Sequence, residues 1–187
     1  MATADRRRMA IALSANTCMC LVGLVGWYAA QSTALLADAF DMLADASGYG
    51  VAWLAIGRSM RAQQRAARWN AGMLFLLGVV VIGEVAERWI RGSEPQGFLI
   101  VAFAALSLVV NGGVLIMLSP YRRAEQVHLR ATWVDTRADV LVNLAVLVSG
   151  AAIAATGWRQ IDLLVGLAIS LYVIKEGWEI WETTTGR

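Results

Sequence analysis

Six long apolar runs separated by short polar breaks take up most of the chain: Met9 to Ala30, Ser32 to Gly57, Trp69 to Ile90, Gly97 to Leu118, Leu129 to Thr156 and Ile161 to Trp181. Each is long enough for a hydrocarbon layer roughly 30 Å thick, which needs about 20 apolar residues per helix. A helix satisfies its own backbone in lipid, so all six are read as helices. Breaks such as Ala30-Gln31-Ser32 and Gly157-Trp158-Arg159-Gln160 are short, so consecutive helices are expected to form antiparallel hairpins. The pattern predicts an all-α protein, an integral membrane bundle of six transmembrane helices. A single transmembrane domain over residues 1–187 leaves no length for a soluble domain.

Composition agrees with the pattern. Of 187 residues, 58% are hydrophobic and 16% charged, with a mean hydropathy of +0.57, so the lipid bilayer is the expected partner. A net charge of +2 raises the question of nucleic acid, but the basic residues sit between the apolar runs instead of sharing a face with aromatics. No nucleic-acid partner is expected. Cys18 and Cys20 lack the spacing of a zinc ribbon or a redox pair and read as small packing residues. Arg6, Arg7 and Arg8 before the first run resemble the start of a signal peptide. That run is long enough to span, however, and a second follows at once, so it is read as an uncleaved helix.

Basic residues also set the orientation, because Lys and Arg near span ends favour the cytoplasmic side. Arg6, Arg7 and Arg8, then Arg58, Arg61, Arg65 and Arg68, then Arg122, Arg123 and Arg130 fall on one side, against Arg88, Arg91 and Arg159 on the other. Both termini are expected in the cytoplasm, and a bacterial inner membrane is the expected location. Trp27, Trp69, Trp89, Trp158, Trp178 and Trp181 lie near span ends, where an indole keeps its ring in the interface and its N–H in water.

An ionisable side chain inside a span costs on the order of 3 kcal/mol and is a functional candidate by default. The second run carries Asp38, Asp41 and Asp45; the fifth carries Asp135 and Asp139, with Arg137 between them. Asp41 and Asp45 stand four apart, as do Asp135 and Asp139, so each pair projects from one helical face. Counted from the span ends, both pairs lie in the inner half of the membrane, with Asp41 near the level of Asp139 and Asp45 near that of Asp135. A dication between the two helices would take oxygen ligands from both. Four carboxylates in low dielectric cannot all carry charge alone, so some hold protons at rest. A bound dication reverses that preference, and metal entry then expels protons.

Other polar residues have plainer readings. Asp38 reads as a helix-packing hydrogen-bond partner or an accessory ligand, and Asn143, four after Asp139, as an interhelical hydrogen-bond donor or an extension of the polar stripe. Asn16 and Asn111 are further polar groups within spans. His128, seven before Asp135, is an accessory entry ligand or a solvated loop histidine. Arg137 reads as the counter-ion of an acid on another helix, with Glu84 a candidate, while Glu84, Glu87 and Glu94 read as a solvated rim. Two rival functions are weaker. An intramembrane aspartyl protease wants one aspartate on each of two helices and a Gly-x-Gly-Asp element that is absent, and a proton-coupled exporter of organic cations wants an aromatic cavity. A non-transporting membrane protein is the third alternative, and would bind no dication.

The stretch from Ser32 to Asp45, Ser-Thr-Ala-Leu-Leu-Ala-Asp-Ala-Phe-Asp-Met-Leu-Ala-Asp, resembles the second-helix signature of the cation diffusion facilitator family. The run from Leu129 to Gly150 is similar to that family's second metal pair on its fifth helix. The resemblance implies a six-helix fold, a homodimer and metal/proton antiport, with Asp41, Asp45, Asp135 and Asp139 as metal ligands. It implies no enzymatic chemistry and no permanent cofactor; the transported divalent cation and protons are its only ligands. Zinc-preferring members commonly place histidine in one or both pairs, whereas here all four positions are aspartate. Hard oxygen donors favour Mn2+ or Fe2+ over Zn2+, with Co2+ and Cd2+ also candidate cargo. Members usually continue into a cytoplasmic metal-sensing and dimerising domain, and this sequence ends at Arg187.

Overall fold

A computed structural model describes residues 2–55, 59–123 and 127–185; within these helices the side chains at 2–4, 51–55, 60, 62–63, 66, 127–132 and 185 lie outside the description. The described residues form six α-helices: α1 (Ala2–Ala30), α2 (Thr33–Ala55), α3 (Met60–Arg91), α4 (Gly97–Met117), α5 (Val127–Thr156) and α6 (Gln160–Thr185), with a 3-10 turn over Ser119–Arg123. Glycine ends two of them by adopting positive φ, +89° at Gly92 after α3 and +71° at Gly157 after α5, where an L side chain would be strained.

The ranges differ from the hydropathy reading in an instructive way. α3 begins nine residues before Trp69, through a stretch rich in Ala, Arg and Gln. Those are good helix formers, and 32 residues make a helix about 48 Å long, well beyond a hydrocarbon core. Hydropathy marks what lipid covers, whereas backbone propensity decides where the helix starts. The projecting turn is tied down where Arg68 donates from Nη2 to the carbonyl of Thr184, 2.8 Å away at the end of α6.

Four helices contain stretches long and apolar enough to cross a membrane: Asp5–Ala30, Ala67–Arg91, Gly97–Met117 and Trp133–Thr156. α2 and α6 carry more charge, with three aspartates in α2 and Asp162, Lys175 and Glu176 along α6. Both are packed into the bundle. Burial is inverted relative to a water-soluble protein: Leu21, Leu76, Phe98, Val109 and Ile116 are exposed, while Asn16, Asp38, Asp41, Asn111, Asp139, Asn143 and Asp162 are buried.

α1, α2, α5 and α4 close a ring, α2 touching α1 and α5, and α4 touching the same two. α3 and α6 pack extensively on each other and lie against α2, and α6 also touches α5. Consecutive helices are therefore not all hairpin partners as expected, since among the described residues α3 makes no packing contact with α4. A short link forces a reversal of direction but not side-by-side packing, and the Gln96 N–H instead donates to the carbonyl of Ala30 at the end of α1, 2.9 Å away. The links after α1, α3 and α5 mark one end of the bundle, the hairpin end; the 3-10 turn marks the other, the terminal end. There Tyr121 donates to Asp5 at 2.8 Å.

Of the six expected tryptophan anchors, Trp69, Trp89, Trp158, Trp178 and Trp181 are exposed. Trp27 is the exception. It is half-buried and its indole N–H donates to Glu84 at 3.3 Å, so its polar edge is spent on α3 and not on the interface.

Candidate functional site

α2 is fixed at its start by a carboxylate from another helix. Ser32 caps the helix, its hydroxyl oxygen accepting from the Leu35 N–H at 3.1 Å. The same hydroxyl donates to Asp162 Oδ1 at 2.5 Å, and the N–H groups of Thr33 and Ala34 donate to Asp162 at 2.6 and 3.2 Å. Asp162, in the first turn of α6, is wholly buried, and its charge sits at the positive end of the α2 dipole. Gly166, one turn further along α6, lies against Thr33; a Cβ there would fall 3.0 Å from the Thr33 carbonyl carbon. That contact sets the register of α2 against α6.

Further down, α2 crosses α5 through three polar contacts. Nearest the hairpin end, Asn143 donates to Asp38 at 2.6 Å and accepts from Asn111 of α4 at 3.0 Å, with the buried Ser107 of α4 beside Asp38. Next, the side chains of Asp45 and Asp139 meet across the crossing. Closest to the terminal end, the hydroxyls of Tyr49 and Thr136 are 3.0 Å apart. On the other side of α2, Ser47 donates to Asn70 of α3.

The middle contact differs in kind from its neighbours. Two carboxyl groups brought together with no donor between them repel each other when both are ionised. Oδ2 of Asp45 and Oδ2 of Asp139 are buried and receive no hydrogen bond from any protein amide, hydroxyl or amine. Asp41 is buried beside them, close enough to interact electrostatically with Asp45, Asp135 and Asp139. Such oxygens are strong acceptors with only other acids for company, and they suit protons or a small cation.

The register is one helical turn away from the one expected. Asp45 meets Asp139, where counting from span ends placed Asp41 there. α5 has 30 residues and α2 has 23, so equal counts from their ends do not mark equal depths. Asp45 and Asp139 meet, with the buried Asp41 in electrostatic range of both, whereas Asp135 is exposed, within electrostatic range of Asp41 and Asp45. In this conformation, among the described residues, no three histidine, cysteine or acidic side chains converge tightly enough to cage a metal ion.

The remaining candidates sort as follows. Asp38 and Asn143 belong to a buried interhelical network with Asn111, the packing role. His128 lies in the first turn of α5, and its side chain is outside the described residues. Arg137 is exposed and is not the counter-ion of Glu84, which is paired with Arg88 one turn along α3 at 2.6 Å. Glu84 is therefore half-buried and paired instead of forming part of a solvated rim, while Glu87 and Arg91 form an exposed pair at 3.1 Å. These four residues, with Gln31 and Gly92, line a cavity of about 210 Å³ at the hairpin end.

Sequence reasoning passed over two acids, Asp162 and Glu176, both on α6. Each is an ionisable residue within an apolar run, a signal in itself, but neither has an acidic partner four residues away to mark it as half of a pair. Glu176 is half-buried and interacts electrostatically with Asp41, Asp45, Asp135 and Asp139.

Known proteins are similar to this chain over most of its length. A family model of the cation efflux transmembrane domain matches residues 9–185. The zinc transporter ZitB of Yersinia pestis is 24% identical over 94% of this chain and 60% of its own length. The metal cation efflux system protein CzcD of Cupriavidus metallidurans is 24% identical over 93% of this chain and 58% of its own. A cadmium, cobalt and zinc/H(+)-K(+) antiporter of Bacillus subtilis is 23% identical over 95% of the chain and 61% of its own. The chain thus spans about three-fifths of the length of these relatives.

Proposed function

The chain belongs to the cation efflux transmembrane family, and from that premise we propose that it moves a divalent transition-metal cation out through the bilayer in exchange for protons. The observation that carries the reading is the meeting of Asp45 and Asp139, with Asp41 in electrostatic range: acids from two helices, an oxygen of each buried and receiving no hydrogen bond from a protein donor. A dication arriving among them displaces protons because it favours the ionised form of every carboxyl group nearby. Protons arriving from the other side neutralise the same oxygens and release the metal. Asp135, now exposed, completes the donor set when the terminal end of α5 closes on α2 and α6, an alternation of access around a fixed site.

The terminal end, with its arginine-rich segments, faces the cytoplasm in this reading, and the Glu84–Arg88 cavity faces outward. A homodimer is the assembly that goes with it. The relatives above are named for zinc, cadmium and cobalt. Here every donor from α2 and α5 is a carboxylate oxygen, which favours Mn2+ or Fe2+ over Zn2+.

The test is cation uptake by sealed proteoliposomes, with Mn2+, Fe2+, Co2+, Cd2+ and Zn2+ offered singly. Flux of at least one dication that vanishes in both Asp45→Asn and Asp139→Asn is expected. Unchanged flux in both variants contradicts the site, and no dication flux in the parent protein contradicts the function.

A further inference from the structure

We infer that Glu176 of α6 is a fifth carboxylate of the cation site and the residue that raises its donor number above the four that suit zinc. The inference rests on the cation-transport reading above and adds a third helix to it.

Depth is fixed by two contacts already described. Asp162 and Gly166 place the first turns of α6 at the level of Thr33, where α2 begins. Both helices start from the hairpin end and rise about 1.5 Å per residue, so ten residues on from Gly166 and from Thr33 bring Glu176 level with Leu43, between Asp41 and Asp45. Independently of that count, Glu176 interacts electrostatically with all four aspartates. Tyr172, one turn back on α6, lies beside its carboxyl group. Its neighbour Glu179 is exposed and paired with Lys175 at 2.9 Å, so the ammonium closest in sequence is taken up by Glu179 on the outer face. Within its electrostatic range is Asp139, only 5% exposed, whose Oδ2 receives no hydrogen bond from a protein donor.

Coordination chemistry gives the consequence. Zinc is content with four donors in a tetrahedron, whereas manganese and ferrous iron take about six oxygens. Two aspartate pairs supply the first set; a fifth carboxylate at the same depth, binding through one or both oxygens, moves the site towards the second.

Mn2+ and Zn2+ are titrated separately into the purified full chain in detergent at one pH, reading affinity by calorimetry and folding by circular dichroism. Glu176→Gln is expected to weaken Mn2+ by about tenfold and Zn2+ by less than about threefold, the size of effect expected when one donor group is lost. Glu176→Asp should fall between this variant and the parent, and Glu179→Gln should match the parent. If the Gln variant does not fold, the Asp variant decides by the same ratio. Equal loss of both metals, or loss of neither, overturns the inference. If Asp45→Asn with Asp139→Asn abolishes binding while Glu176→Gln binds both metals as the parent does, Glu176 alone is misassigned. If the double aspartate variant still binds both metals, the transport site itself is wrong and Glu176 falls with it.

Discussion

α2 meets a buried carboxylate from another helix at two levels, and the two are treated in opposite ways. At its start Asp162 receives the Ser32 hydroxyl and the N–H groups of Thr33 and Ala34. Three turns on, Asp45 meets Asp139, and an oxygen of each receives nothing from any protein donor. Both acids are deep in the bundle, so burial alone does not separate structure from function. What separates them is whether the fold supplies hydrogen-bond donors. A carboxylate given three of them is a joint; carboxyl groups given only one another are left with capacity for an ion or a proton.

The largest expected effect breaks the comparison at the crossing. Asp45→Asn combined with Asp139→Asn should cut cation flux by more than about 100-fold, beyond what loss of a supporting partner costs. The melting temperature of the same protein should hold or rise, because removing under-solvated acids removes a cost of folding. A matching fall in melting temperature would mean that the crossing is structural after all.

Asp162→Ala should show the reverse. It strands the Ser32 hydroxyl and two helix N-terminal N–H groups, and should destabilise the bundle by about 3–5 kcal/mol in a chemical-denaturation experiment. The fraction that remains folded should bind cation with the parent's affinity. An altered affinity there would make Asp162 part of the site.

A third prediction sharpens the contrast through pH. Protons and cation compete for the same oxygens, so lowering the pH must weaken cation binding, by about tenfold per unit for each proton expelled. Titration at two pH values should find that slope in the parent protein and in Asp162→Asn, and its loss in Asp139→Asn. The smallest effect belongs to the network between the two levels. Asn143→Ala removes the donor to Asp38 and the acceptor of Asn111, a change worth about 1 kcal/mol in a membrane bundle, with flux close to that of the parent.

Most of the fold was legible in the sequence. Apolar runs are long because lipid is thick, and the six helices fall where the runs do. What hydropathy does not encode is where a helix continues into water, hence the additional turns of α3, or which helices pair, hence α3 on α6. The site was legible in part. Spacing placed Asp41 with Asp45 and Asp135 with Asp139 on common faces, but vertical register depends on close contacts such as Gly166 against Thr33, which no count from span ends reveals. Glu176 and Asp162 were missed because each acts singly, with partners on other helices. Arg137 was matched with Glu84 on charge alone, when Arg88 stands one turn away on the same helix.

The most direct test of the account is to follow both ions at once. Proteoliposomes carrying a trapped pH indicator and a trapped metal indicator are mixed rapidly with Mn2+, and then with Zn2+. The account predicts that each cation entering drives protons out with matching kinetics, and that both signals disappear together in Asp45→Asn and in Asp139→Asn. Cation entry without counter-movement of protons, or coupled movement that survives both substitutions, would contradict it.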